Sequence, residues 1–442
     1  MSMNLKFKEM RIGNVIKLGT WILISLVLGI FLYYKYEDIN MLIGALVMGI
    51  ALTSYFHFSK EDVFNPIGVY SVFWLGVAGL ANIRISSDQH IWSYYMWVVV
   101  ILAFVSFCLG YFVMNKYNKK LSLKKPEVPF SNEKLYNCIF ILFIISVVSF
   151  IFEAIYLGFI PIFSSKMDAY MNFNIKGVHY FVVSIALIPS LTLAYRKAGG
   201  TKKIIIYNIV SFLIPILIVS RQLLLLEIIL AMITYHYSIK KIPFRIIFVT
   251  AIISIVLFSL SSNLRHQNIE YIKSAANVNI KSNSVLIQPY LYLTINFENL
   301  RNIVENFSDY KLGENTGFSV LAFTNTKKYV DFSYKSLYFT NPNFNTSTYL
   351  SDIYFDFGIV GVAIIPFMLG LLYCFLYKKY VRNNVNQIMI ILYSLLSYCL
   401  IFSFFVCWYF NPTIVFYIVM LFIILFYCSR NKLKVEQTKV LK

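Results

Sequence analysis

Three groups of residues have the types and spacing to do chemistry. The first is Arg221, set in the apolar stretch "LIPILIVSRQLLLLEIILAM" with Glu227 six residues on. The second is Arg265 and His266 in "SSNLRHQNIEYIKS", followed by Arg301 in "PYLYLTINFENLRNIVENF". The third lies in "NFNTSTYLSDIYFDFGIVGVAIIPFMLG", where Thr346, Ser347 and Thr348 precede Asp352 and Asp356 at i and i+4. Guanidinium groups bind phosphate oxygens as a planar fork and stay charged. Hydroxyls at a helix start, with the free N–H groups behind them, form a place for an anion. His266, Asp352 and Asp356 can each take a proton from a hydroxyl. Such an inventory suits a diphosphate-bearing ligand handled without metal.

Each residue also has a plainer reading. Arg221 can mark a span end and snorkel toward headgroups. Glu227 is turned roughly 240° away from it and lies roughly 9 Å deeper, so it must find a partner on another helix, stay protonated or line a cavity. Arg301 can pair with Glu298 at i−3 and Glu305 at i+4. Asp352 can complement a helix dipole, and Gly358 and Gly361 can serve close packing.

The elements that position these residues follow from hydropathy. Of 442 residues, 59% are hydrophobic and 13% charged, against about 45–50% and about 25% in soluble proteins. The apolar runs are of the roughly 17–25 residues that cross a bilayer. Twelve can be marked, at 14–34, 39–58, 66–85, 91–114, 135–157, 179–195, 204–219, 222–239, 244–262, 348–377, 388–408 and 413–429. The expected fold is therefore an all-α polytopic membrane protein, one transmembrane domain over 1–442. A large external loop, 263–347, separates the ninth and tenth spans. With the N-terminus in the cytoplasm, most of the 39 lysines and arginines fall in cytoplasmic gaps, which explains the net charge of +19 without nucleic acid. Both termini are then cytoplasmic, and the basic N-terminal stretch leads into a retained first span.

Within the loop, Leu293, Phe297, Leu300, Val304 and Phe307 alternate at intervals of four and three, predicting an amphipathic helix with Pro289 at N1. Other chemistries find no support. No G-x-x-x-x-G-K-[ST] loop, H-E-x-x-H pair, Cys/His ligand spacing or D-x-D triplet occurs. The six cysteines all lie in apolar runs and read as small core residues, with no cofactor or metal expected.

The chain resembles the O-antigen and capsule repeat-unit polymerases, the Wzy family. The resemblance rests on about a dozen spans, the late external loop, "VSRQLLLL", "NLRHQ", and the Asn/Thr stretch running into "D-F-G-I-V-G". An arginine–spacer–glycine pattern is matched loosely by Arg301 with Gly313 or Gly317. The resemblance implies a GT-C-like bundle in the bacterial cytoplasmic (inner) membrane. It also implies glycosyl transfer at the outer face, from a glycan on undecaprenyl diphosphate to a hydroxyl of an incoming lipid-linked repeat unit, in O-antigen or capsule synthesis. A chain-length regulator is the partner it suggests. In that frame Arg221, Arg265 and then Arg301 stabilise the diphosphate, with Thr346, Ser347 and Thr348 as further substrate contacts. His266, Asp352 and Asp356 stay open as the base. An O-antigen ligase shares the architecture, and a lipid-linked oligosaccharide flippase is the rival from another class. The scarcity of mid-depth charge in the first six spans and the long loop count against the flippase.

Overall fold

The computed structural model describes residues 2–60, 62–120, 131–165, 169–201, 204–253, 273–278 and 286–429. Its regular elements are helical, with no strand among the described residues. The chain divides into two compact units.

The first unit comprises 1–116, 269–374 and 399–410. It opens with α1 (Ser2–Tyr36) and α2 (Ile39–Phe58), joined by a turn in which Asp38 caps α2 by accepting from Asn40 N–H at 2.9 Å. Helix α3 (Pro66–Ala81) carries a π-helical stretch, Ser71–Gly76. Helix α4 (Tyr94–Lys120) follows a short segment, 82–93. The ninth and tenth predicted spans fall on α10 (Phe244–Ile253), which is in the second unit, and α13 (Tyr349–Leu376). Between them lie α11 (Ile287–Asn306) and the short α12 (Phe318–Phe323).

The predicted loop helix is therefore present, but it starts two residues before Pro289, which sits harmlessly in a first turn whose N–H groups need no intrahelical partner. It is also less amphipathic in use than its spacing suggests. Phe297 packs on Trp74 and Trp92, with ring centroids 5.1 and 5.7 Å apart, yet the polar Asn296, Glu298 and Asn299 are buried too. The cause is a strap of chain, 338–347, laid along its polar side. Asn299 Nδ2 donates to the carbonyls of Phe344 (2.8 Å) and Thr346 (2.7 Å), and its Oδ1 accepts from Thr340 N–H at 2.9 Å. One turn on, Asn302 Nδ2 donates to the Tyr338 carbonyl at 3.0 Å. Amides thus satisfy backbone groups that an irregular buried segment would otherwise leave unpaired.

Helices α4 and α13 cross at Gly110 and Gly370. A Cβ on Gly110 would land on the Phe367 carbonyl oxygen, and one on Gly370 on that of Phe107, so only glycine allows this backbone-to-backbone approach. Helix α13 itself breaks at Gly358, which takes φ 56° and ψ −144°.

The second unit comprises 117–268, 375–398 and 411–442. Helix α5 (Asn132–Leu157) is capped by Ser131 and ends at the left-handed Gly158. The predicted sixth span is divided into α6 (His179–Val183), a 3-10 turn and α7 (Ile188–Lys197), because Pro189 has no N–H and crowds the preceding turn. Then come α8 (Ile205–Leu217) and α9 (Arg221–Ser238). Helix α14 (Gln387–Ile401) runs into the first unit at its end, and α15 (Pro412–Ser429) closes the described chain. Within this unit, Tyr417 Oη donates to the Val183 carbonyl at 2.7 Å and Thr234 meets Ser394 at 3.1 Å. Six helices are long and apolar enough to cross a membrane, and Pro66–Ala81, Ile205–Leu217, Phe244–Ile253 and Gln387–Ile401 are shorter apolar ones, all counted among the described residues.

Candidate functional site

In the first unit, segment 82–93, α11, the strap and the start of α13 meet at one end, and most of the unit's buried charge collects there. Glu298, only 2% exposed, is the centre. It accepts from Arg301 Nε at 2.6 Å, from His90 N–H at 3.1 Å, and lies 2.8 Å from His90 Nδ1. Arg301 also bonds Glu305, which accepts from Ser93 N–H at 3.2 Å. Arg84 pairs with buried Asp38 and feels the field of Glu298. Burial alone would lower the Arg301 pKa, but Glu298 and then Glu305 outweigh it and raise it above the ordinary arginine value.

Arg301 therefore takes the ion-pair reading, with its planar fork engaged by its own helix. Thr346 Oγ1 donates to Asn296 Oδ1 at 2.5 Å, and Ser347 Oγ to the Asn296 carbonyl at 3.4 Å. Those hydroxyls fasten the strap to α11. The first N–H of α13, on Tyr349, is given to the Ser403 carbonyl at 2.9 Å. Thr348 Oγ1 is buried with no hydrogen bond among the described residues.

Asp352 pairs with Lys335 at 2.7 Å, both about a quarter exposed. Asp356 is fully buried and clasps a neighbouring loop. Its Oδ1 accepts from Asn315 N–H (3.0 Å) and Nδ2 (2.7 Å), and its Oδ2 from Thr316 N–H (2.7 Å). The break at Gly358 frees the carbonyls of Phe355 and Asp356 from the helix ladder. Lys311 N–H (2.9 Å) and Leu312 N–H (3.2 Å) take them up. The Tyr310 ring fills the space a Gly358 side chain would need. The "D-F-G" of the sequence is thus, in part, a docking point for residues 310–316.

Arg221 lies in the second unit as the first residue of α9, 8% exposed, behind Ser220, whose Oγ accepts from Leu223 N–H at 3.3 Å. Glu227 is fully buried in the same helix, with Ser211 as its polar neighbour. Arg265 and His266 lie outside the described residues. No group of three His, Cys, Asp or Glu residues that could hold a metal occurs among the described residues.

A sequence profile of the family described as "Putative O-antigen polymerase" matches residues 62–403. The chain belongs to the O-antigen polymerase family. Its role is accordingly in O-antigen polymerisation, a glycosyltransferase-like activity carried by a multi-pass membrane protein. No curated protein and no solved structure matches the chain. The matched span of the polymerase profile includes His90 and Arg84, which sequence reasoning passed over, and Glu298, which it read only as a partner of Arg301. The only hint was local: "NIRISSDQHIWS" packs Arg, Asp and His into a short gap between apolar runs.

Proposed function

We propose that this chain joins lipid-linked oligosaccharide repeat units into O-antigen or capsular polysaccharide at the outer face of the bacterial cytoplasmic membrane. The donor is the growing glycan on undecaprenyl diphosphate. Its reducing-end carbon is attacked by a hydroxyl of the incoming unit, and the diphosphate leaves with the bonding electrons. Family membership over residues 62–403 is the observation that carries this reading. The distribution of basic gaps supports twelve spans, both termini cytoplasmic, with 263–347 as the external loop, and the family resemblance implies a GT-C-like bundle.

Charge building on the leaving diphosphate calls for fixed cations, and no metal is needed if arginines supply them. Arg221 is the first choice, with Arg265 beside His266 as the second. Arg221 stands at the positive end of α9, where a cation costs about 0.3–1 kcal/mol rather than gaining it. An anionic ligand there would meet both the guanidinium and the positive helix end. Arg301 ranks third, since its fork is already shared between Glu298 and Glu305. Asp352 and Asp356 are similarly engaged as bases, by Lys335 and by the 315–316 backbone. A chain-length regulator is the expected protein partner.

The test is the surface-glycan ladder of a strain lacking this chain, with an extract of its lipid-linked intermediates. Single repeat units at the surface, and a ladder restored by the wild type but not by Arg221→Ala, are expected. Long chains stranded on the lipid carrier would mean ligase, and single units trapped on the cytoplasmic side would mean flippase.

A further inference from the structure

His90 is held in a way that a simple surface histidine is not. Its side chain is 54% exposed, yet Nδ1 faces a carboxylate that is 2% exposed. That carboxylate cannot swing away, because Arg301 Nε and the His90 backbone N–H hold it at 2.6 and 3.1 Å. An ionised carboxylate only accepts hydrogen bonds, so the shared hydrogen belongs on Nδ1. The neutral imidazole then has its lone pair on Nε2, on the edge of the ring away from the buried acid. Fixing one ring nitrogen to free the other is the arrangement a general base requires. Asp38, Arg84, Arg301 and Glu305 complete the charged surroundings of the pair.

A cavity of about 410 Å³ is lined by Asp88, Ser274, Asn277, Thr340, Asn341 and Asn343. Asp88 is two residues from His90. Thr340 hangs by its N–H from Asn299, the neighbour of Glu298. The lining is carboxylate, amide and hydroxyl, the donor and acceptor mixture that pairs with sugar hydroxyls, and the size lies in the range of about 300–1,000 Å³ usual for ligand pockets. Another histidine–carboxylate pair, His179 and Glu153 at 2.9 Å, is more enclosed at 26% and has no arginine on its acid among the described residues.

We infer that His90, oriented by Glu298, is the base that takes the proton of the acceptor hydroxyl, the acceptor sugar reaching it from the amide-lined cavity around Asp88. The inference rests on the polymerase reading above. As the acceptor oxygen forms its bond to the donor's anomeric carbon, its proton passes to Nε2. The bond from that carbon to the diphosphate breaks, and its electron pair leaves on the lipid diphosphate. The imidazolium then returns its proton to solvent. His90 is the catalytic residue in this step and Glu298 a positioning residue.

The full-length protein in proteoliposomes, supplied with lipid-linked repeat units extracted from a strain lacking it, provides the test. His90→Gln is expected to reduce kcat by about 10²–10⁴-fold at unchanged protein level. Imidazole should restore part of the rate to His90→Ala, and Glu298→Gln should lower kcat more than it changes KM. His179→Gln should stay within about threefold, under one kcal/mol of barrier. A His90→Gln protein that elongates glycan at near the wild-type rate overturns the inference while leaving the polymerase reading intact. A wild-type protein that elongates nothing overturns the polymerase reading itself, and this inference with it.

Discussion

Asp356→Asn offers the sharpest test of how the D-F-G turn is built. The substitution keeps the side chain's shape but replaces one acceptor oxygen with an NH₂ group. Asp356 accepts from three donors, at 3.0, 2.7 and 2.7 Å, all against residues 315 and 316. An asparagine can place its oxygen toward Asn315 or toward Thr316, never both, so at least one buried N–H meets another donor. Leaving that N–H unpaired costs about 1–3 kcal/mol, and the surviving bonds each lose about 1 kcal/mol as the acceptor loses its charge. Relief from burying a carboxylate offsets part of this. A net loss of about 2–4 kcal/mol in docking of the loop results, a factor of roughly 30–700 in its opening equilibrium at 1.4 kcal/mol per tenfold. Hydrogen exchange on peptides spanning 310–323, in detergent or nanodiscs, reads that factor directly, with α5 peptides as the internal control. Unchanged protection at Asn315 and Thr316 in a folded variant would refute the clasp.

Three further outcomes follow from the same geometry. Arg221→Lys should lose most polymer length in the ladder assay at normal protein level, since a point charge replaces a planar fork; full activity would remove Arg221 from the diphosphate site. Gly370→Ala should destabilise the α4–α13 crossing by about 1–3 kcal/mol through overpacking, seen as a lower thermal midpoint of the purified protein, because its methyl meets the Phe107 carbonyl. Asp352→Asn should change stability by less than about 1 kcal/mol, as expected for a pair with Lys335 that is a quarter exposed; a larger fall in thermal midpoint would mean the pair is coupled to the loop clasp.

What could be read from the residues alone was what is local. The apolar runs located the helices, the 4-3 spacing located α11, and the i−3 and i+4 carboxylates around Arg301 named its true partners. Long-range pairings were not legible. His90 and Glu298 stand 208 positions apart, and nothing in either stretch names the other. The partners of Asp356, two backbone N–H groups and one amide from 315–316, have no signature in sequence either. The break at Gly358 was equally hidden, since glycine there is sufficiently explained by close packing until its φ is known. The polar face of α11 misled for a different reason: a helix looks half-exposed when the chain that covers it is an irregular strap with no periodicity of its own.

That strap is fastened to α11 by asparagine amides and threonine and serine hydroxyls, uncharged groups whose bonds dissolved ions do not screen. High salt therefore weakens the ion pairs around the strap while leaving its hold on α11 in place, so a rate that falls as ionic strength rises reports on charge and not on a loosened scaffold.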